Sequence, residues 1–357
     1  MSCFLFSFLE NGTAFILLAS MTSFKRVTQY IAKLDKRLRV IFCLAVSLLM
    51  VNVGFLGRIP VEGQWKVAKN TERRLAYATL LTSLAAEEDA YLLSTRVLSY
   101  QLLHSKSTST SYSIPFLVLV IPGVPEWKKR ILANEGAIII EVEKLDMNWM
   151  TPLSERWRDM MVKLRLFQLT EYDRILFLDA DTFLLKPLDG VFSDIAAMPR
   201  KTKSMAQVMP DEAPLPESYL FATLPEVTNK IHSYPPMTLP HFNAGFFLLS
   251  PSPELFNYYT SLLGLEGRFD STYPEQNLLN YAHREAGNMP WSKLHHHWNI
   301  NLPNMNDVKS GVSSVHSKLW TNGNILEPTE PLLRERWILV REEMELYNSE
   351  IKSAEDD

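Results

Sequence analysis

Two aspartates one residue apart, Asp179 and Asp181, stand where an apolar run ends in DRILFLDADTFLLKPLD, residues 173–189. The run Arg174–Leu178 is short and nearly all apolar, which predicts a buried strand. On extended backbone the side chains at i and i+2 share one face. Two carboxylates on one face repel each other unless a cation sits between them. Hard oxygen ligands select Mg²⁺ or Mn²⁺ rather than zinc. Such an ion keeps positions open for a substrate diphosphate and offsets charge on a leaving group. The competing reading is a turn that uses aspartate as turn former. Asp-x-Asp by itself favours that turn. The strand before it, and the apolar run and Pro187 after it, favour the metal.

A strand that delivers carboxylates needs neighbours to hold it. From Arg73 onward, short apolar runs alternate with stretches of helical period. Leu75–Leu81 predicts a first strand, and Ala90–Leu103 a helix. Ile114–Ile121 predicts a strand buried on both faces. A helix from Pro125 to Glu135, stopped by Gly136, and a second buried strand at Ala137–Val142 follow. Trp157–Leu169 has helical character. Strands alternating with helices predict an α/β domain with a mostly parallel sheet. Ligands of such sheets bind beyond the carboxyl ends of the strands, which is where Asp179-Ala180-Asp181 falls. Pro199–Pro240 is rich in proline and poor in periodicity, which predicts a long surface excursion. Phe242–Leu249 then predicts a strand, and Pro253–Leu263 and Glu275–Ala286 predict helices, the second stopped by Gly287. Pro331–Tyr347 predicts a charged amphipathic helix with a solvated acidic end.

The chain has 357 residues, 46% hydrophobic and 21% charged, with a formal net charge of -4. That composition allows a large core and one large domain with appendages. No Lys/Arg run or basic face in the body of the chain points to nucleic acid. The two cysteines, Cys3 and Cys43, lie in the N-terminal apolar region. The remainder can therefore form neither a disulfide framework nor a cysteine metal site. Val40–Leu56 carries no charge and follows Lys33, Lys36, Arg37 and Arg39. A spanning helix needs roughly 17–25 apolar residues. The basic flank favours a cytosolic N-terminus, an asymmetry that Arg58, Lys66 and Lys69 weaken. A buried core helix competes, and the polar stretch Pro60–Thr71 opposes it. Met1 and Met21 both remain as starts. The expected organisation is a cytosolic tail (1–39), a transmembrane signal anchor (40–56), a stem (57–72), a catalytic domain (73–327), and a C-terminal helix with acidic tail (328–357).

Four ordered blocks carry a more specific signal. They are LLTSLAAEEDAYLLSTRVLSYQLL (80–103), MVKLRLFQLTEYDRILFLDADTFLLKPLDGVF (161–192), HFNAGFFLLS (241–250) with PEQNLLN (274–280), and VHSKLW (315–320). Together they resemble glycosyltransferase family 8, the relatives of glycogenin and galactinol synthase, which include fungal sugar transferases of the secretory pathway. The resemblance implies a GT-A (Rossmann-like) nucleotide-diphospho-sugar transferase fold with a mixed, mostly parallel sheet. It also implies a UDP-sugar donor, Mn²⁺ (or Mg²⁺), and retention of anomeric configuration.

The same resemblance distributes roles. Asp179 and Asp181 match the metal carboxylates, Ala180 joins the donor contacts, and His316 matches the third metal ligand. Lys163 matches a basic residue near the donor phosphates. Lys318 and Trp320 match a phosphate-facing Lys and its neighbouring Trp, although the spacing from His316 is shorter than in glycogenin-like relatives and a glycine is missing. Thr82 and Tyr91 match nucleotide contacts, with a longer LAAEED segment between them. Asn243 and Gln276 match residues that hold the donor sugar, and Gly245 permits close backbone approach. Glu275 stands where glycogenin-like enzymes have aspartate, in a place to orient the sugar or stabilise a cationic transition state. Arg156 and Arg158 both lie near the position of a donor-site arginine, and spacing does not choose between them. Read without the family, His316 is a packed or solvated histidine, Lys163 an exposed helix lysine, Asn243 a turn residue and Gln276 a helix-end residue. His295-His296-His297 cannot converge on one ion without unusual backbone, which assigns them to the surface or an acceptor cleft.

The implied reaction moves a hexose or N-acetylhexosamine from a UDP-sugar to a hydroxyl of a glycan, lipid or small molecule. The anchor and stem imply a single-pass type II Golgi protein with a lumenal catalytic domain, and a cytoplasmic one if 40–56 is not a span. A homodimer is among the implied partners. Competing readings are glycogenin-like self-glucosylation on Tyr258, Tyr259 or Tyr273, and a catalytically silent sugar-binding domain. A nucleotidyltransferase would need a Gly-rich basic loop after the first strand, which LTSLAAEED does not supply.

Overall fold

The computed structural model describes residues 3–8, 14–19, 74–146, 149–204, 209–323 and 329–356. The chain divides into two units, Met1–Gln64 and Trp65–Asp357. In the first, Cys3–Phe8 and Ala14–Ala19 pair as an antiparallel hairpin. The expected span 40–56 and stem 57–72 lie outside the described residues. Among the described residues no helix is long and apolar enough to cross a membrane.

The second unit is built on a seven-stranded sheet. Its first half runs β1 (Leu75–Leu81), α1 (Ala90–Leu103), β2 (Phe116–Val120), α2 (Glu126–Asn134), β3 (Ile138–Glu141) and β4 (Arg174–Leu178). Every residue of β2 and β4 is buried, as their apolar composition requires of strands covered on both faces. Asp89 starts α1 by accepting the backbone N–H groups of Tyr91 and Leu92 at 2.9 and 3.1 Å. After β4 come the short β5 (Thr182–Leu184), β6 (Phe221–Pro225), β7 (Phe242–Leu249), α3 (Pro253–Leu263), α4 (Pro274–Ala282) and β8 (Ser292–Lys293). The strand order is β8-β6-β7-β4-β1-β2-β3. Strands β4, β1, β2 and β3 are mutually parallel, while β7 is antiparallel to both β4 and β6.

That order locates a ligand site. From β1 the chain steps outward to β2 and β3, then returns to the other side of β1 with β4. In sheets with such a reversal ligands bind beyond the carboxyl ends of the strands on either side of it, here where Thr82 follows β1 and Asp179 follows β4. A second sheet of three short strands lies beyond that edge. In it β10 (Ser314–His316) pairs antiparallel with β5 and parallel with β9 (Ile300–Asn301). Between β9 and β10, α5 (Met305–Lys309) is closed by a capping box from Asn304 and Asp307.

Three expectations need correction. The strand predicted at Ala137–Val142 as buried is the outer strand β3 of the sheet; its Ile138 is exposed and Ile139 and Ile140 are only half-buried, because an edge strand is covered less than an inner one. The proline-rich stretch Pro199–Pro240 is not wholly a surface excursion, because it contains β6, buried from Phe221 to Leu224 in the main sheet. Proline is tolerated there at Pro225, where the ladder with β7 is irregular. Trp157–Leu169 is helical but wound as 3-10 turns over Glu155–Gln168, with no side-chain cap at Ser154. In addition, the second predicted helix after β7 ends at Ala282 rather than Ala286. The C-terminal helix α6 (Pro331–Asp356) carries its acidic end in helical form.

Candidate functional site

Backbone pairing brings a pair of aspartates together with a histidine far from them in sequence. Strand β4 ends at Leu178, and the Asp179 N–H donates to the Gly245 carbonyl at 2.8 Å, extending the pairing with β7. A turn closed by Thr182 N–H to the Asp179 carbonyl at 2.9 Å then sends the chain into β5. There Thr182 lies opposite His316 of β10. The Ser317 N–H donates to the Asp181 carbonyl at 2.9 Å. Asp179, Asp181 and His316 thus converge, with one ligating atom from each within 4.8 Å of the others.

His316 Nε2 lies 2.8 Å from Asp181 Oδ1 and 3.8 Å from Asp179 Oδ2. Burial disfavours the Asp181 carboxylate, but the His316 imidazole and the charge of Lys318 outweigh it and hold Asp181 well below the usual carboxylate range. Asp179 goes the other way. Burial raises it, and Lys163 and His316 only partly offset that rise while Asp181 adds repulsion. Burial lowers His316, yet Asp181 and Asp179 together raise it above the usual imidazole range. Two carboxylates beside one imidazole form a donor set of the kind a divalent cation fits. His316 Nδ1 is buried and has no hydrogen-bond partner among the described residues. It faces Gly245, where an added Cβ would lie 2.7 Å from Nδ1 and 2.8 Å from Asn243 Oδ1. Only glycine leaves room for the imidazole here.

Behind the carboxylates sits Lys163, only 2% exposed. Its ammonium is 2.9 Å from Asp179 Oδ1 and 2.9 Å from Glu275 Oε1, and donates to the Ala244 carbonyl at 3.2 Å. It also lies 4.9 Å from the centre of the Phe177 ring, which stacks on Phe247 in the core. Burial lowers the affinity of Lys163 for its proton, but Asp179 and Glu275 more than compensate and raise it above the usual lysine range. Lys163 is therefore neither an exposed helix lysine nor an open cation, and Glu275, 8% exposed, is committed to it.

Asn243 and Gln276 are both oriented by backbone. Asn243 Oδ1 accepts the Gly245 N–H at 2.9 Å, and Gln276 Oε1 accepts the Ala244 N–H at 3.0 Å. Asn280 ties the same strand to α4 by bonding both the N–H and the carbonyl of Phe242 at 3.0 Å each. On the β1 side, Thr82 lies at the strand's carboxyl end and Tyr91 in the first turn of α1. The Tyr91 hydroxyl accepts Arg156 Nη1 at 2.6 Å, and its ring meets Trp320 edge-on at 5.3 Å. Arg158 instead pairs with its neighbour Glu155, so of the two arginines Arg156 is the one that reaches Tyr91. Ala180 is held by its carbonyl, which accepts Ser94 Oγ at 2.6 Å and joins α1 to the Asp179–Asp181 turn. Ser94 and Asn280 carried no signal of their own in sequence; each lies inside a matching block and acts only on backbone.

On the far side of Asn243 lies a cavity of about 330 Å³. Residues from β6, β8 and the loops around Pro235 and His295 line it, and His295 and His296 are among them. Of the tyrosines considered as internal acceptors, Tyr258 and Tyr259 are 3% and 0% exposed, and Tyr259 donates to or accepts from buried His283 at 2.6 Å. Tyr273 is 44% exposed and packs on Trp157 at 4.8 Å.

The sequence model of glycosyl transferase family 8 matches residues 82–326. An uncharacterised protein of Schizosaccharomyces pombe is 28% identical over 298 residues, covering 74% of this chain and 78% of that protein. Galactinol synthase 1 of Solanum lycopersicum is 26% identical over 187 residues, 48% of this chain and 51% of the synthase. Among solved structures, mouse xyloside xylosyltransferase 1 aligns with a TM-score of 0.43 and 16% identity, over 72% of this chain and 99% of that one.

Proposed function

The chain belongs to glycosyltransferase family 8, and from that premise we propose that it is a retaining transferase with a GT-A fold. In this reading it moves a hexose or N-acetylhexosamine from a UDP-sugar to a hydroxyl acceptor, with Mn²⁺ held by Asp179, Asp181 and His316. The observation that carries the reading is the convergence of those three side chains beyond the carboxyl end of β4. Bound there, the cation supplies charge neutralisation for the departing diphosphate.

The chain's own groups do the positioning. Lys163 offsets the charge of Asp179 and Glu275 together and keeps the first of them aimed at the cation site. Glu275 acts on the sugar through this pairing, which sets the height of the α4 N-terminus. Asn243 and Gln276 have their side-chain oxygens engaged by backbone, which leaves each an amide nitrogen to donate to sugar hydroxyls. Tyr91, held by Arg156, and Thr82 flank the nucleotide, with Lys318 near the diphosphate. The acceptor hydroxyl enters from the cavity beside Asn243, on the face of the sugar that the leaving diphosphate vacates. In this reading the acceptor oxygen bonds to the anomeric carbon as the bond from that carbon to the diphosphate breaks on the same face, and the acceptor proton passes to a diphosphate oxygen, with no covalent carboxylate intermediate. Residues 40–56 anchor the protein as a type II Golgi enzyme, with the stem 57–72 before the catalytic unit.

A donor-hydrolysis screen over several UDP-sugars, with and without Mn²⁺, tests the reading. UDP release from at least one donor, dependent on Mn²⁺ and lost in Asp181→Asn, is expected. Turnover that ignores both the metal and the substitution refutes it.

A further inference from the structure

One buried lysine outside the cation site occupies an unfavourable place. Lys128 lies in the first turn of α2 and is 0% exposed. A cation there opposes the helix dipole and loses its hydration, so it persists only where partners offset both. Strand β2 runs parallel to β1, so α2 starts at the sheet edge where the loop after β1 also begins. The Lys128 ammonium donates to Asp89 Oδ2, to Ser83 Oγ at 3.2 Å and to the Ser83 carbonyl at 3.4 Å, which engages all three N–H groups. Ser83 Oγ in turn donates to Asp89 Oδ2 at 2.7 Å. The other carboxylate oxygen, Asp89 Oδ1, caps α1 through the Tyr91 and Leu92 N–H groups. Burial raises Asp89, but its hydrogen bonds from Lys128, Ser83 and the Leu92 N–H outweigh burial and hold the carboxyl below its usual range.

Ser83 and Asp89 stand at the two ends of the loop that joins β1 to α1. Leu84–Glu88 between them are exposed, and among the described residues the ion pair on this stretch is Glu88 with Arg96 at 3.2 Å. A pair with one exposed partner contributes little. A single buried ammonium therefore pins both ends of an otherwise solvated loop. The residue before the first pinned end is Thr82, and the residue whose N–H the second end caps is Tyr91. Closing the loop fixes their separation before any ligand arrives, which spares the ordering cost that a ligand would otherwise meet. Farther along α1, Ser94 Oγ reaches the Ala180 carbonyl at 2.6 Å, so the Asp179–Asp181 turn is held by a separate contact.

We infer that Lys128 is a positioning residue for the donor nucleotide: by tying Ser83 to Asp89 it presents Thr82 and Tyr91 as a preformed clamp. It touches neither the cation site nor the reacting atoms, and acts through the loop it closes. The inference rests on the donor reading above and deepens it. It separates two functions of α1. The first turn, set by Lys128 through Asp89, serves nucleotide affinity, and Ser94, one turn later, serves the metal turn. Loss of Lys128 therefore weakens donor binding and leaves the transfer step at saturating donor nearly intact.

The test uses the full chain with Mn²⁺, UDP as the calorimetric probe, and whichever UDP-sugar wild type hydrolyses. The decisive variant is the double substitution Lys128→Met with Asp89→Ser. It leaves no buried charge unpaired and keeps a serine to cap α1, so the fold is retained. Its UDP Kd and donor KM should rise about tenfold, the scale of the lost charge-assisted contacts, while kcat stays within about twofold of wild type. Protease cleavage of the native protein after Glu87 or Glu88 should quicken at least about tenfold, since the loop opens more often. Ser83→Ala keeps every charge and removes one ammonium partner, and it should raise UDP Kd about threefold even if the double variant fails to fold. Unchanged UDP affinity in Ser83→Ala, or in a folded double variant, overturns the inference. So does a fall in kcat at unchanged KM. A wild type that binds no UDP in the presence of Mn²⁺ is a separate result, and it overturns the donor reading instead.

Discussion

Two lysines of the catalytic unit, Lys163 and Lys293, occupy opposite physical regimes. Lys163 is buried between two carboxylates and a carbonyl, so its charge is used up inside the protein. Lys293 stands on an edge strand at a cavity without carboxylates, and its charge is turned outward. Around Lys163 the charges are matched within the fold, by Asp179, Glu275 and the Ala244 carbonyl. The cavity beside Asn243 is lined by Lys293, two histidines and no carboxylate. The contrast suggests that the first region sets what the enzyme is and the second sets what it acts on.

The largest expected effect separates the two lysines directly. Lys163→Met strands the buried Glu275 carboxylate and removes a partner of the half-buried Asp179, and breaking a buried pair in this way costs about 3–5 kcal/mol. Thermal unfolding should shift down strongly. Lys293→Met, on an exposed position, should stay within about 0.5 kcal/mol of wild type. Equal thermal shifts for the two variants would break the comparison.

Next in size, Asp181→Asn should leave the fold intact and lower kcat about 10²–10³-fold, the scale of lost transition-state electrostatics. The check is UDP release at saturating donor and Mn²⁺. A smaller effect is expected from Gly245→Ala. Its Cβ would press on His316, moving one ligand, and Mn²⁺ affinity should fall about 10- to 100-fold by calorimetry with folding retained. If affinity is unchanged, His316 is not a ligand. The mildest change is Tyr91→Phe, which removes the acceptor of the Arg156 hydrogen bond. A rise of a few-fold in donor KM at constant kcat is expected, in keeping with about 1 kcal/mol for one hydrogen bond.

Much of the donor side was legible in sequence because it is written in local signals. Strands β1 and β7 and helices α1 and α3 begin and end where apolar runs and capping residues such as Asp89 and Ser252 place them. The aspartates declared themselves through i, i+2 spacing at a strand end. His316 needed the family resemblance, because its approach to Asp181 depends on the pairing of β5 with β10, a contact 134 positions removed that no local pattern encodes. The burial of Lys163 was hidden for a similar reason: its two partners come from β4 and α4, and an isolated lysine in a helical stretch looks like any solvated one. Strand β6 was concealed by its prolines, and β3 by an apolar run that does not report which strand ends a sheet. The cavity beside Asn243 was least legible of all. His295–His297 marked one wall, but Lys293 on a two-residue strand carries no sequence signal.

The central claim is that a divalent cation binds between Asp179, Asp181 and His316 and holds a sugar-bearing diphosphate. Anomalous scattering from crystals grown with Mn²⁺ and UDP tests it most directly. The account predicts a single strong manganese peak within coordination distance of Asp179, Asp181 and His316 Nε2, in contact with the UDP diphosphate. A peak elsewhere, or UDP bound with no metal between it and the two aspartates, would contradict it.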